Sequence, residues 1–179
     1  RSSDLNITED HMDRFGTMEY YAQCKVRMFE NQTQDDFGVL NYDEPATAAQ
    51  CFQLPSRVLW FSRKTEVDQG AFIKNGRIVY KQDDKEIDIC APEEIYIPGD
   101  HNLENALAAV CLAASMGVSA DIIAHTLRTF KGVEHRIEFV CERDGIRFVN
   151  DSKGTNPDAT IKAVLAMKTR SEERRVGKE

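Results

Sequence analysis

Two short apolar runs constrain this chain most: FGVLN at residues 37–41 and RVLWF at 57–61. Both read as buried strands, and they flank a short helix expected to start near Pro45. Strand, helix and strand in that order are what a parallel α/β sheet requires. The sequence AFIKNGRIVY (71–80) then adds a hairpin, two apolar-alternating runs joined by Asn75-Gly76. With 179 residues and 41% hydrophobic content the chain has room for one domain, or one and a fraction, around a substantial core.

Helices frame these strands. TMEYYAQCKVRMF (17–29) starts at Thr17 as N-cap, has Glu19 in its first turn and is expected to run to about Asn31. After IYIPGDHN come two helices, about Asn102 to Met116 and Ala120 to Phe130, separated by Gly117 and capped by Ser119. RIEFVCERDGIRFVND predicts two further strands around Asp144-Gly145, followed by a helix from Pro157 to about Met167. A domain boundary fits at Gly132 to Arg136, where the helical run ends and a strand-led unit begins.

Bulk charge narrows the function. A net charge of -7 and a pI near 5.2 argue against a nucleic-acid or polyanion binder, which needs a basic face; an anionic ligand must be met by a few placed cations. Five cysteines without a CxxC pair indicate neither a zinc ribbon nor a disulfide framework, and a reducing cytosol is the simplest compartment. The longest apolar stretch, Ala106 to Val118, is too short and too rich in small residues to span a membrane. The chain opens at Arg1 and closes on the charged RSEERRVGKE, which reads as a fragment with a frayed or non-native tail.

Several residues carry candidate chemistry, each beside a plainer role. Lys25 lies near the centre of the helical stripe Met18, Tyr21, Ala22, Met28 and Phe29. It is either a snorkelling side chain or a buried neutral amine able to take up carbon dioxide as a carbamate, an oxygen ligand suited to magnesium. Asp10, His11 and Asp13 cluster just upstream, as surface groups or as partners of Lys25 in a metal site. Asn102 and Asn105, three apart at a helix start, are capping residues or a pair of amides facing the edge of an adenine. Arg136 stands at the proposed boundary, and Asp151, Ser152, Lys153, Gly154 and Thr155 follow a strand and precede a helix. Such a loop is a ligand site of α/β proteins, or simply a capped turn. No G-x-x-x-x-G-K-[ST] loop occurs: the only Gly-Lys, Gly177-Lys178, is followed by Glu179 and has Glu172 where the first glycine belongs.

NITEDHMDRFGTMEYYAQCKVRMFENQ, PGDHNLENALAA, FKGVEHRIEFV and above all NDSKGTNPDAT resemble the Mur ligases of peptidoglycan synthesis, and NDSKGTN points to their D-glutamate-adding branch. The resemblance, from about Asp4 to Lys168, implies an enzyme of three domains. Residues 1–133 would be the later part of a central ATPase domain, a mainly parallel sheet with flanking helices and a hairpin. Residues 134–169 would open a Rossmann-like C-terminal domain, and 170–179 would be a charged tail. It also implies ATP and Mg2+ as cofactors, and UDP-N-acetylmuramoyl-L-alanine and D-glutamate as substrates. Position by position, Lys25 (as carbamate) and His11 match metal-binding residues, and Asn102, Asn105, Arg136 and Asp151 match nucleotide contacts. Lys153 would lie near the transferred phosphate and Thr155 near the incoming amino acid. Two rivals remain open: another amide ligase of the superfamily such as a folylpolyglutamate synthetase, against which NDSKGTN counts, and a noncatalytic nucleotide-binding module.

Overall fold

A computed structural model describes residues 2–4, 12–45, 54–155 and 157–167. They divide into two compact units: the described residues up to Tyr96 together with Asn102–Phe130, and Ile97–His101 together with the residues from Lys131 onward.

The first unit is built on a sheet whose spatial order follows the sequence: β1 (Ser2–Asp4), β2 (Phe37–Asn41), β3 (Arg57–Ser62), β4 (Gly70–Lys74), β5 (Arg77–Gln82) and β6 (Lys85–Cys90). The strands from β1 to β4 pair in parallel, with Val39 opposite Leu59 and Phe61 opposite Ala71; β4, β5 and β6 are antiparallel. The parallel sheet and the hairpin expected from the sequence are therefore present. Asn75 (φ 51°) and Gly76 (φ 74°) supply the two left-handed residues that a tight hairpin turn needs. β6 was not among the expected strands, although KEIDIC alternates charged and apolar residues.

Alternation along the strands sends side chains to both faces. Phe37, Val39, Leu59, Phe61, Ala71, Ile78 and Tyr80 point into one core. The helices that close it are α3 (Asp100–Ser115) and α4 (Ala120–Thr129), so numbered because α1 (Met12–Phe15) and α2 (Met18–Val26) precede them. They contribute Leu107, Ala108, Val110, Cys111, Ile123 and Ala124. Full burial of Leu107 and Val110 stabilises the unit by about 2 kcal/mol each. On the opposite face Trp60, Val67, Phe72 and Val79 form a smaller cluster. Phe29 covers the same side of β2 at Gly38, where a Cβ would lie 3.4 Å from its ring.

Helix ends follow local chemistry. Thr17 caps α2 as expected, its Oγ1 accepting from Tyr20 N at 3.2 Å. The helix does not reach Asn31: it tightens into a 3-10 turn over Arg27–Phe29, which buries Phe29 and leaves Met28 44% exposed. α3 starts two residues earlier than expected and stops at Gly117 (φ 82°), with Val118 N and Gly117 N donating to the carbonyls of Ala113 and Ala114. Ser119 precedes α4 in extended conformation, but its hydroxyl makes no capping bond. The helix expected from Pro45 lies outside the described residues beyond its first position.

In the second unit β7 (Glu138–Arg143) and β8 (Ile146–Asn150) form an antiparallel hairpin with a bulge at Phe139/Cys141, followed by α5 (Pro157–Leu165). The two strands and the helix match the sequence expectation. A parallel βαβ unit, which would make this part Rossmann-like, is not among the described residues.

Gly70 is the tightest backbone position. β4 begins there at φ 131°, and a Cβ would overlap the carbonyl of Trp60 on the paired strand β3. Gly70→Ala is expected to cost at least about 3 kcal/mol. Equilibrium denaturation of the chain checks this, and an unchanged midpoint would contradict it.

Candidate functional site

In the first unit polar groups gather where β2 and β3 end, the edge at which open parallel sheets bind ligands. Asn41 is buried and its Oδ1 accepts from Asp43 N at 2.9 Å. Asp43 accepts from the Ser62 hydroxyl (2.7 Å) and from Arg63 N (2.8 Å). Arg63 Nε in turn reaches Glu104 Oε1 at 3.3 Å, in the first turns of α3. Asn102 and Asn105 flank Glu104. Asn102 is 8% exposed, and Asn105 Nδ2 donates to its Oδ1 at 3.4 Å, so the two amides face each other as the three-residue spacing requires.

Lys25 is half-buried in the last turn of α2, with its Nζ 5.2 Å from the centre of the Tyr21 ring. That is an arrangement for an ammonium. A carbamate would carry the opposite charge and would have to turn away from the ring face. Its oxygens suit a hard divalent cation. Of its expected neighbours, Asp13 is exposed, and Asp10 and His11 lie outside the described residues. Among the described residues no cluster of three His, Cys, Asp or Glu side chains is placed to hold a metal.

The second unit holds an open recess lined by His101, Arg136, Ile137, Asp151, Lys153, Gly154, Ala159 and Lys162. Three of the expected residues, Arg136, Asp151 and Lys153, thus come together; Thr155 is exposed and does not line the recess. Asp151 is fixed from both sides. Its Oδ1 accepts from Ile137 N at 3.0 Å, and its carbonyl accepts from Gly154 N at 2.9 Å. A Cβ on Gly154 would stand 2.6 Å from Asp151 Oδ2, so a larger residue there would have to displace the carboxylate. Lys153 N donates to the His135 carbonyl at 3.0 Å. Three cations against one carboxylate make the recess suited to an anion such as a phosphate or carboxylate.

His101 and Lys162 were missed from the sequence, as were Asp43, Ser62 and Arg63. Lys162 lies at i+3 from Ala159, so the face of α5 that meets the loop was readable in outline. The contact between Asp43 and Ser62 joins positions 19 residues apart, which no local pattern encodes.

With this geometry in view, comparison with known proteins gives a consistent answer. The model of the Mur ligase middle domain matches residues 5–113, and the chain belongs to the Mur ligase family. A curated relative named UDP-N-acetylmuramoylalanine--D-glutamate ligase, from Thermoanaerobacter sp. (strain X514), is 56% identical over 165 residues, 92% of this chain and 36% of the relative. The chain thus spans about a third of the length of the curated relatives it matches. Among solved structures, the UDP-N-acetylmuramoylalanyl-D-glutamyl-2,6-diaminopimelate--D-alanyl-D-alanyl ligase of Acinetobacter baumannii shares the fold with a TM-score of 0.69 at 20% identity, over 92% of this chain and 36% of that one. The MurF ligase of Thermotoga maritima, solved in complex with ADP, gives 0.62 at 20% identity, over 92% of this chain and 38% of that one.

Burial, then the charges of Arg136 and Lys162, hold the His101 imidazole below its ordinary 6.5, against the opposing pull of Asp151 and Asp100. The folded chain therefore binds fewer protons than the unfolded chain just below 6.5. The stability His101 contributes is fully present above that pH and is lost as pH falls through its depressed native value. An NMR titration should place the His101 midpoint below 6.5, and Arg136→Ala should move it upward. A midpoint at or above 6.5 would contradict the electrostatics of the recess.

Proposed function

We propose that this chain is the later part of the central domain (residues 1–133) and the opening of the third domain (134–169) of a cytoplasmic, ATP-dependent ligase, with 170–179 a charged tail. The ligase joins D-glutamate to UDP-N-acetylmuramoyl-L-alanine in peptidoglycan synthesis. The observation that carries this reading is the 56% identity sustained over 165 residues, 92% of the chain, with a ligase of that name. Two further features agree with it: the ADP complex of a relative with the same fold, and the cationic recess. No helix among the described residues is long and apolar enough to cross a membrane.

A carboxylate does not react with an amine until one of its oxygens becomes a leaving group. Phosphorylation supplies that group, and the amine then displaces phosphate through a tetrahedral intermediate. Negative charge gathers on phosphoryl and carboxylate oxygens in both steps, so cations fixed in advance favour the transition states. Asn102 and Asn105 offer an amide donor and an acceptor to the edge of the adenine. Arg136 and Asp151 bind the remainder of the nucleotide, Asp151 held in place by Ile137 N. Lys153 neutralises the phosphoryl group in transfer, and Thr155 donates to the incoming D-glutamate. Lys25, as its carbamate, and His11 would hold the magnesium ion, which supplies charge neutralisation to the phosphates when bound.

In the full-length protein, phosphate release coupled to amide formation should require both D-glutamate and the UDP-linked substrate. Lys25→Ala is expected to lower kcat at least about 100-fold, with no recovery in excess bicarbonate. Normal turnover by that variant would remove Lys25 from the machinery. The 179 residues alone should give no product under the same conditions.

A further inference from the structure

Asp43, two residues beyond β2, has both carboxylate oxygens committed within the protein: Oδ1 to the Ser62 hydroxyl and Oδ2 to Arg63 N. Ser62 is fully buried. Its single proton goes to Asp43, while its oxygen accepts from Lys64 N (3.1 Å) and Thr65 N (2.8 Å). A hydroxyl so used has no lone pair left for a donor, so this place admits a carboxylate and not an amide. The result is a fixed start to the 63–69 loop and a fixed backbone at Arg63.

From that backbone the Arg63 side chain reaches Glu104, and the two side chains are only 28% and 23% exposed. Glu104 sits between Asn102 and Asn105 in the sequence of α3, and those two amides already bond to each other. A run of polar contacts therefore joins the carboxyl end of β2 to Glu104, and the backbone of α3 carries Glu104 between the two amides. Small displacements of positioning groups are costly in binding and rate, which gives such a run a role beyond holding a loop.

We propose that Asp43 is a positioning residue for the nucleotide base, acting through Ser62, Arg63 and Glu104 on Asn102 and Asn105. This rests on the ligase reading only in taking that amide pair as the base contact. In the full-length protein Asp43→Ala and Glu104→Ala should each raise the KM for ATP and the Kd for ADP about tenfold, with the KM for D-glutamate unchanged. Glu104→Gln keeps the oxygen that accepts from Arg63 and should stay within about twofold of the parent. Because both alanine variants act through Arg63, combining them should weaken ADP binding by no more than about the larger single effect.

A merely structural role would lower the melting temperature and leave the ADP Kd of the folded variants alone. An unchanged ADP Kd in Glu104→Ala, equal losses in the alanine and glutamine variants, or effects that multiply in the double variant would each overturn the proposal. Should Asp43→Ala fail to fold, the two Glu104 variants decide alone. A parent protein that binds ADP but forms no amide product would sink the ligase reading and leave the ADP titration to judge this one; failure to bind ADP would sink both.

Discussion

Burial of one face of α3 against the sheet is the contact on which the first unit depends. Leu107, Val110 and Cys111 have no exposure, and they share a core with Leu59 and Phe61 of β3. Alanine at 106 and 108 keeps the helix close to the strands. Cys111 shows how dry this contact is: its thiol lies 3.5 Å from the Trp60 carbonyl, and burial pushes its pKa up to about 12. A thiol in that state is packing material and not a nucleophile. With the helix axis fixed in this way, its first turns present Asn102, Glu104 and Asn105 at a set height above the sheet edge, where Arg63 completes the positioning.

The second unit relies on different forces. Among its described residues no apolar side chain is buried, and Phe139 (53%) and Leu165 (77%) are largely exposed. Order around the recess comes instead from polar contacts. His135 N donates to Glu138 Oε2 at 2.8 Å, and Asn150 Nδ2 lies 3.0 Å from His135 Nδ1. His135 (φ 67°) and Ile137 (φ 48°) flank Arg136, both in the left-handed region, which a β-branched residue such as isoleucine adopts only at a cost. The Asp151 carboxylate bonded to Ile137 N and the His135 carbonyl bonded to Lys153 N hold that strained pair. The segment carrying Arg136 and the loop carrying Lys153 thus constrain each other, so these two of the three cations of the recess are placed together.

How much of this the sequence revealed depends on the range of the interaction. Asn75-Gly76 and Asp144-Gly145 announced their turns because two adjacent residues at positive φ are a local demand. The apolar runs of β2 and β3 announced burial on both faces. Lys25 was harder: helical spacing put it on the apolar stripe, but a stripe drawn at 100° per residue assumes that the helix continues. The 3-10 turn after Val26 breaks that phase, so Phe29 is buried, Met28 is not, and Lys25 is half-buried. β6 escaped notice because four of its six residues are exposed, which leaves only Ile89 and Cys90 as a buried apolar signal. Arg136, at the expected boundary, and Asp151 and Lys153, in a strand-to-helix loop, stood out by position, and the resemblance gave them roles. His101 was passed over because its meaning comes from Arg136, Asp151 and Lys162, contributed by distant segments.

The acidic balance of the chain and its cationic recess are compatible once local pairing is considered. On the outer strands cations are spent on neighbours: Lys74 Nζ lies 2.8 Å from Glu86 and Arg77 Nε 2.6 Å from Asp88, across β4, β5 and β6. These exposed pairs contribute little to stability and remove positive charge from the surface field. In the recess Arg136, Lys153 and Lys162 outnumber Asp151, and burial together with Arg136 and Lys162 holds the pKa of His101 below its ordinary value. A small anion can thus be met by a few cations in one place on a protein whose net charge of -7 repels extended polyanions. Net charge excludes a partner by its size and charge density, whereas a few fixed side chains select a ligand by its shape.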